Sequence, residues 1–470
     1  MTQGMEGNLG HENDRLVHRN RYDVDGCLET NVTHGFTLVA VGDLIVTRPL
    51  TKGHHPGFSE IVEILRNADV TFGNMETNIL DIRSFTGSPQ AEHGGAYHVS
   101  LPDLAPDLKS MGFNMVSYAN NHTFEWGVEG MRETCRALDQ NGIVYAGVGE
   151  NLAQASAARF LETPGGRVAL VSCASTFTPM SRACDPAGAA PGRPGLNPLR
   201  VEEYIVVPPA MFESLRQVRD ALPNYGSGQS DPNRLGLAGA TYKIGDQPGY
   251  SYLPNPADVA DILRNTRQGK QFADFCIVTN HGHEPGNWSQ QPPDYVQSFA
   301  RQTIDAGADA YIVHGPHQLR GIEIYRGRPI FYSVGNFIMD DLRTPVGADM
   351  FTAYGKDPRT DTDAEVTLAE MAQGYESDAG FTDPIFYESV VAVNRFEDNR
   401  LAELRLYPIE LGHSERFANR GVPRLARGQQ GRAILQRIQD LSEVYGTEIV
   451  VEDDIGVITF ERSARRTEST

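Results

Sequence analysis

An α/β domain with a largely parallel or mixed sheet is the fold class this sequence predicts, on three observations. From Phe36 onward, short runs rich in β-branched residues alternate with stretches of helical period. Several of the apolar runs end in ligand-type polar residues, as expected where strand ends line one crevice of an open sheet. The bulk composition is that of a globular chain, with 470 residues, 40% hydrophobic and 22% charged.

Taken in order, residues 1–34 are polar and rich in His, Asn and Asp, and predict a loose arm. Strands are expected at Phe36–Val41, Val70–Phe72, Met115–Tyr118, Val144–Ala146, Val168–Ser172, Phe275–Thr279, Ala310–Val313 and Pro329–Ser333. Between them, Leu104, Leu108 and Met111 mark a helix ending at Gly112. Met131, Cys135 and Leu138 mark another closed by Asn141-Gly142, and Val296, Ala300 and Ile304 a third stopping at Gly307. These elements place one domain over 35–340. Residues 178–256, rich in Pro, Gly, Asn and Asp, and 341–387, rich in Asp, Thr, Gly and Met, read as inserted loops of functional type. Residues 388–470 return to order. Strand patterns lie at Ser389–Phe396 and Leu401–Pro408, a helix carries Ile434, Ile438 and Leu441, and Ile449–Val451 with Val457–Phe460 form a closing hairpin.

Lys and Arg total 41 against 61 Asp and Glu, a net charge of −20. That excludes the basic field a nucleic-acid backbone or an anionic membrane surface would need. Cys27, Cys135, Cys173, Cys184 and Cys276 are scattered with no Cys-x-x-Cys pair, which predicts reduced thiols. Met1–Arg21 has no apolar core and no run approaches the roughly 18 residues of a spanning helix. No signal peptide, no membrane span and a cytoplasmic location are expected.

The chemistry is concentrated at strand ends. Gly42-Asp43, Gly73-Asn74-Met75-Glu76, Asn120-Asn121-His122, Asn280-His281-Gly282-His283 and His314-Gly315-Pro316-His317 each follow an apolar run. Any one alone reads as a turn or a helix cap. Five together, offering carboxylate, amide oxygen and imidazole, point to a shared divalent cation. His122, next to Asn121 yet free to face a substrate, suits proton delivery, the alternative being a hydrogen-bonding partner of a ligand. His283 is grouped with it as catalytic. Asn74, Arg320 and Trp126 are assigned to substrate, although such an Arg can instead brace a loop and such a Trp can simply pack.

The stretches VAVGDLIVTRPL, TFGNMETNI, YANNHTFEWGVEGMRETCRALDQNGIVYAGVG and DAGADAYIVHGPHQLRGIEIYRGRPIFYSVGNFI resemble the CapA family of poly-γ-glutamate capsule synthesis, within the calcineurin-like metallophosphatase superfamily. The resemblance runs from about Phe36 to Asp340, apart from the Pro/Gly-rich insertion. It implies a four-layer α/β/β/α sandwich of metallo-dependent phosphatase type with a small C-terminal α+β extension. It also implies one or two divalent metal ions per chain, with Mn, Zn, Fe, Mg and Ca all open. On the superfamily pattern Asp43 is a first-metal ligand, Glu76 the bridging carboxylate and Asn121 a second-metal ligand. His281 and His317 complete the set, His122 is the acid and Glu125 orients His122 or a substrate group. Two departures stand out: Ile45 replaces a histidine of the phosphatases, and Gly315 stands where an imidazole belongs. His314 is expected to swing into the gap, the alternative being that strand alternation from Ile312 leaves it packed inside. The implied function is metal-dependent, hydrolase-like action on an anionic glutamate-type polymer or peptide, with other polymer-synthesis subunits as partners. A non-catalytic accessory role, peptide epimerisation and phosphoester hydrolysis are the alternatives.

Overall fold

The structure, a computed structural model, describes residues 28–90, 97–223, 231–340, 347–373 and 380–460. Most of the N-terminal arm expected over 1–34 therefore lies outside the described residues, as do parts of both expected insertions and the last ten residues. Two sheets stack face to face. The first has ten strands, ordered Val450–Glu452, Ile455–Thr459, Arg400–Glu410, Glu388–Glu397, Thr37–Ile45, Val70–Met75, Met115–Ser117 and Val144–Ala146. Asn336–Met339 also pairs with Thr37–Ile45, and Arg424–Leu425 with Arg400–Glu410. The second has six, ordered Ile322–Tyr325, Arg328–Phe331, Ala310–His314, Phe275–His281, Gly166–Ala174 and Arg159–Thr163.

Alternation along the strands builds the layers. Leu38, Ala40, Val70 and Phe72 of the first sheet meet Leu170, Ile277 and Ile312 of the second in one inter-sheet core. Their neighbours point the other way. Val39 and Val41 meet Ile61, Leu65, Leu108 and Leu138 on the helices Phe58–Arg66, Leu104–Met111 and Gly127–Gln140. On the far side Val171, Val278 and Tyr311 meet Ile262 and Phe299, on Pro256–Gln271 and Val296–Asp305. Helix, sheet, sheet and helix follow in that order, the α/β/β/α sandwich the resemblance implied. Strands buried on both faces read as nearly unbroken apolar runs, which is why they were legible.

The C-terminal strands are part of this sandwich. Glu388–Glu397 pairs antiparallel with Thr37–Ile45, so the chain's end completes the first sheet. Residues 178–256 are more than a loop, since four strands within 201–254 form a separate small sheet backed by the helix Pro209–Ala221 through Phe212. Residues 341–387 also differ from the loop expected. Ala348–Ala353 and Asp363–Gln373 are helices, and Met350, Phe351 and Val366 seat on Trp126, Leu80 and Tyr97. No helix among the described residues is long and apolar enough to cross a membrane.

One glycine aims the site. Pairing slips register between Ala40 and Asp43 on one side and between Asp43 and Leu44 on the other, marking an irregularity of bulge type. A Cβ on Gly42 would stand 1.8 Å from the Gly335 carbonyl oxygen. Only glycine lets the backbones close, so that Asp43 N–H donates to that carbonyl at 3.1 Å.

Candidate metal centre

Parallel strands whose carboxyl ends sit side by side bring the polar clusters together. Asp43 comes from Thr37–Ile45, Glu76 follows Val70–Met75, His281 ends Phe275–His281, and His317 lies in the turn after Ala310–His314. Their donor atoms form two groups, Asp43 with Glu76 and His317, and Glu76 with His281 and His283, each within 4.8 Å of one another. Glu76 belongs to both. All of these residues are buried except His283, which is half-buried.

The electrostatics of the cluster suit a cation. Burial alone would raise the Asp43 pKa, but its hydrogen bond to His317 and the charges of His317, His314 and His281 outweigh that and hold it well below the carboxylate range. Glu76 goes the other way: burial first, then the charge of Asp43, pushes its pKa well above the usual value. A cation between the two carboxylates would supply positive charge that favours the ionised form of both. Glu76 Oε1 is buried without a hydrogen-bond partner among the described residues. It stands 3.6 Å from His281 Nε2 and 3.7 Å from His122 Nε2. Two ligand atoms sharing a tetrahedral ion are about 3.4 Å apart.

Asn74 sharpens the point. Its amide nitrogen lies 2.8 Å from Asp43 Oδ1, 3.3 Å from Glu76 Oε2 and 3.1 Å from His281 Nδ1. An amide has two hydrogens, so these three acceptors exceed what it can serve. Asn74 is fully buried among the candidate ligands, which corrects its assignment to substrate. His283 Nε2 is 3.0 Å from His281 Nε2, and this places His283 within the donor set, apart from the catalytic role expected of it.

Amide oxygens meet the Nδ1 nitrogens of two of these rings, and His317 Nδ1 also stands 3.4 Å from Asp43 Oδ2. Asn287 Oδ1 lies 2.7 Å from His283 Nδ1, and Asn336 Oδ1 lies 2.8 Å from His317 Nδ1. Asn336 Nδ2 is spent on the carbonyls of His317 and Phe386, so its oxygen faces the ring and leaves His317 Nε2 with the lone pair. His317 itself holds φ +59°, a left-handed conformation uncommon outside glycine.

His122 faces the same pocket. Its Nδ1 is 2.6 Å from Glu125 Oε1, while Glu125 Oε2 accepts the His98 backbone N–H at 2.9 Å. A carboxylate there fixes the tautomer with hydrogen on Nδ1 and turns Nε2 toward Glu76. The turn is locked by Asn120, whose Oδ1 accepts His122 N–H at 3.1 Å and whose Nδ2 donates to the Met75 carbonyl at 2.8 Å. Asn121 is buried in this turn. Sequence reading missed His98, whose ring lies 4.3 Å from that of His122. Burial, with the charge of His317 adding, lowers its pKa to about 3, so this ring is neutral. Nothing in Tyr97-His98-Val99 flagged it, because its neighbour His122 is far off in sequence.

Three further expectations are corrected. His314 Nε2 is 3.0 Å from the Val41 carbonyl and Nδ1 is 3.2 Å from Thr279 Oγ1. The carbonyl can only accept, so Nε2 carries the hydrogen, and Nδ1 takes the threonine hydroxyl. Neither nitrogen is left for a metal. The ring packs edge-on to Phe72, as strand alternation allowed. Gly315 takes φ +109° and donates its N–H to Asp43 Oδ2 at 3.2 Å, a backbone path closed to histidine. His314→Ala is therefore expected to keep its metal and lose stability, by roughly 2–4 kcal/mol for a cavity and two stranded polar groups. Denaturant unfolding with metal analysis checks this, and loss of metal from a folded variant would return His314 to the donor set.

Arg320 is fully buried and braces a loop, donating to the carbonyls of Ser289 at 3.1 Å and Glu284 at 3.0 Å. It has no surface left for substrate. Trp126 is 5% exposed and packs against Tyr97 and Phe85.

Comparison with known proteins agrees with the motifs. Residues 37–341 match the family model described as bacterial capsule synthesis protein PGA_cap. An uncharacterized protein of Sinorhizobium fredii, y4sH, is 66% identical over 95% of this chain and 98% of its own. The capsule biosynthesis protein CapA of Bacillus anthracis is 24% identical over 65% of this chain and 60% of its own. A probable polyglutamine synthesis accessory protein of Mycobacterium tuberculosis is 27% identical over 63% of this chain and 62% of its own. The chain belongs to the PGA_cap family of bacterial capsule synthesis proteins.

Proposed function

We propose that this protein is a metal-dependent hydrolase acting on a γ-glutamyl polymer or peptide. The observation that carries the reading is the pair of buried donor groups sharing Glu76, with the His122–Glu125 pair beside them. Asp43, Glu76, His281, His283 and His317, with Asn121 as a further ligand, would hold a divalent cation, which would supply Lewis-acid polarisation of an amide or phosphoryl oxygen. As water adds to the acyl carbon and the C–N bond breaks, His122 delivers its Nε2 proton to the departing amine, and Glu125 keeps the opposite nitrogen protonated and steadies the charged ring. The PGA_cap family and the relative named for capsule biosynthesis support the substrate class. The cysteines among the described residues are unpaired, which supports a reducing compartment such as the cytoplasm.

A second reading, an accessory protein working with polymer-synthesis subunits and without chemistry, draws support from the name of the Mycobacterium relative. The two separate in one assay. Metal-loaded protein is incubated with a γ-linked glutamate oligomer, and free amine release is followed with and without chelator. Chelator-sensitive release, absent in Asp43→Ala, is expected. No turnover of that oligomer or of a simple phosphoester would favour the accessory role, and turnover of the phosphoester alone a phosphoesterase.

A further inference from the structure

The loop that Arg320 braces ends in an aromatic surface. Trp288 is 47% exposed and so is Tyr250, their ring centroids 5.9 Å apart. Two large rings left in water beside each other need an explanation only if they are held there, and they are. Arg320 pins the carbonyls of Glu284 and Ser289 on either side of Trp288. Gln318 donates to the Asn287 carbonyl, and Asn287 Oδ1 meets His283 Nδ1 at 2.7 Å. Gly286 leaves room for the indole, since a Cβ there would meet Trp288 Nε1 at 2.2 Å. Tyr250 lies on Gly249–Pro254, which is tied down by Tyr252 N–H donating to Asp294 Oδ1 at 2.9 Å and by the buried Tyr252 ring. The pair is thus a fixed aromatic surface, and the residue next to Trp288 orients a candidate metal ligand.

We propose that Tyr250 and Trp288 form a stacking subsite for the uncharged backbone of a γ-glutamyl chain, namely its planar amides and the methylene pairs between them. This rests on the substrate class proposed above and adds where the chain is held. The charge balance selects the mode of binding. With a net charge of −20, the protein has no cationic field for a polyanion. At this surface, flat aromatic faces against amide and methylene groups provide contacts that ignore the carboxylates, at little entropic cost. The α-carboxylates then remain in water.

The test uses the full chain loaded with metal and a γ-linked glutamate oligomer of defined length. Of the two tryptophans, Trp126 is buried, so acrylamide quenching of indole emission reports on Trp288. The oligomer is expected to shield that emission saturably. By calorimetry, Trp288→Ala and Tyr250→Ala should each weaken its binding by roughly 3- to 10-fold, with Trp288→Phe retaining most of the affinity. Both side chains are half exposed, so the variants should fold, and unchanged metal content checks this. Wild-type affinity in both alanine variants, or no binding of the oligomer at all, overturns the subsite. Oligomer bound through the pair but never cleaved leaves the subsite standing and removes the hydrolase reading. Cleavage with wild-type affinity in both variants does the reverse.

Discussion

Glu76→Gln is expected to strip metal from both halves of the centre at once. Glu76 is the one carboxylate common to the Asp43–His317 and His281–His283 groups, so a neutral isostere removes one of two carboxylates from the first position and the sole carboxylate from the second. The remaining ligands would be Asp43 and His317 at one position and the imidazoles of His281 and His283 alone at the other. Losing one partner of a buried charge interaction costs about 3–5 kcal/mol, which is at least roughly 100-fold in affinity. The comparison that makes the test sharp is with single-group variants. His283→Ala should weaken one position and His317→Ala the other, so that only Glu76→Gln empties the protein. Metal analysis after dialysis, with titration calorimetry using Mn²⁺ and Zn²⁺, measures this. Wild-type stoichiometry and affinity in Glu76→Gln would remove the shared carboxylate and the centre built on it.

Strand-end clusters were readable because parallel strands carry their own address: an apolar run, then a polar residue at its carboxyl end. Asp43, Glu76, His281 and His317 could be read from that pattern and from the family resemblance. His314 was misassigned because spacing does not say which way a ring turns. The carbonyl of Val41, which holds it, is remote in sequence. Arg320 was open to two readings, and only its two carbonyl partners decide between them. His98, Asn287 and Asn336 carried no signal of their own, since each acts through a contact made by the fold. The strand Asn336–Met339 carries no clear strand pattern, because it opens on Gly335-Asn336, a pair of turn type. Its pairing with Asp43 through Leu44 and Ile45 is a long-range fact that no local pattern holds. The insertions looked like loops for a related reason. Short strands and helices rich in Pro, Gly and Asp carry little periodicity, yet Phe212, Met350 and Val366 find apolar partners in space.

His122→Ala is expected to keep its metal and lose turnover by roughly 10²–10⁴, the usual worth of a positioned acid or base. The geometry sets up a genuine contest, because His122 Nε2 is 3.7 Å from Glu76 Oε1, much as His281 Nε2 is at 3.6 Å. Distance alone would admit either imidazole to the metal. The difference lies in what stands behind the rings. Glu125, held by the His98 backbone, accepts from His122 Nδ1 at 2.6 Å and stabilises the ring when it carries a proton on both nitrogens. His281 Nδ1 instead meets the Asn74 amide at 3.1 Å, and an amide offers no charge to support an imidazolium. A carboxylate behind the ring suits an imidazole that gains and gives up a proton, although it would also strengthen a ligand. Glu125→Gln separates the two uses. In a proton carrier it should lower kcat by a similar order while KM and bound metal stay near wild type. In a ligand it should lower metal affinity instead. Metal lost from folded His122→Ala would place His122 in the coordination shell, and the proton would then have to come from another group.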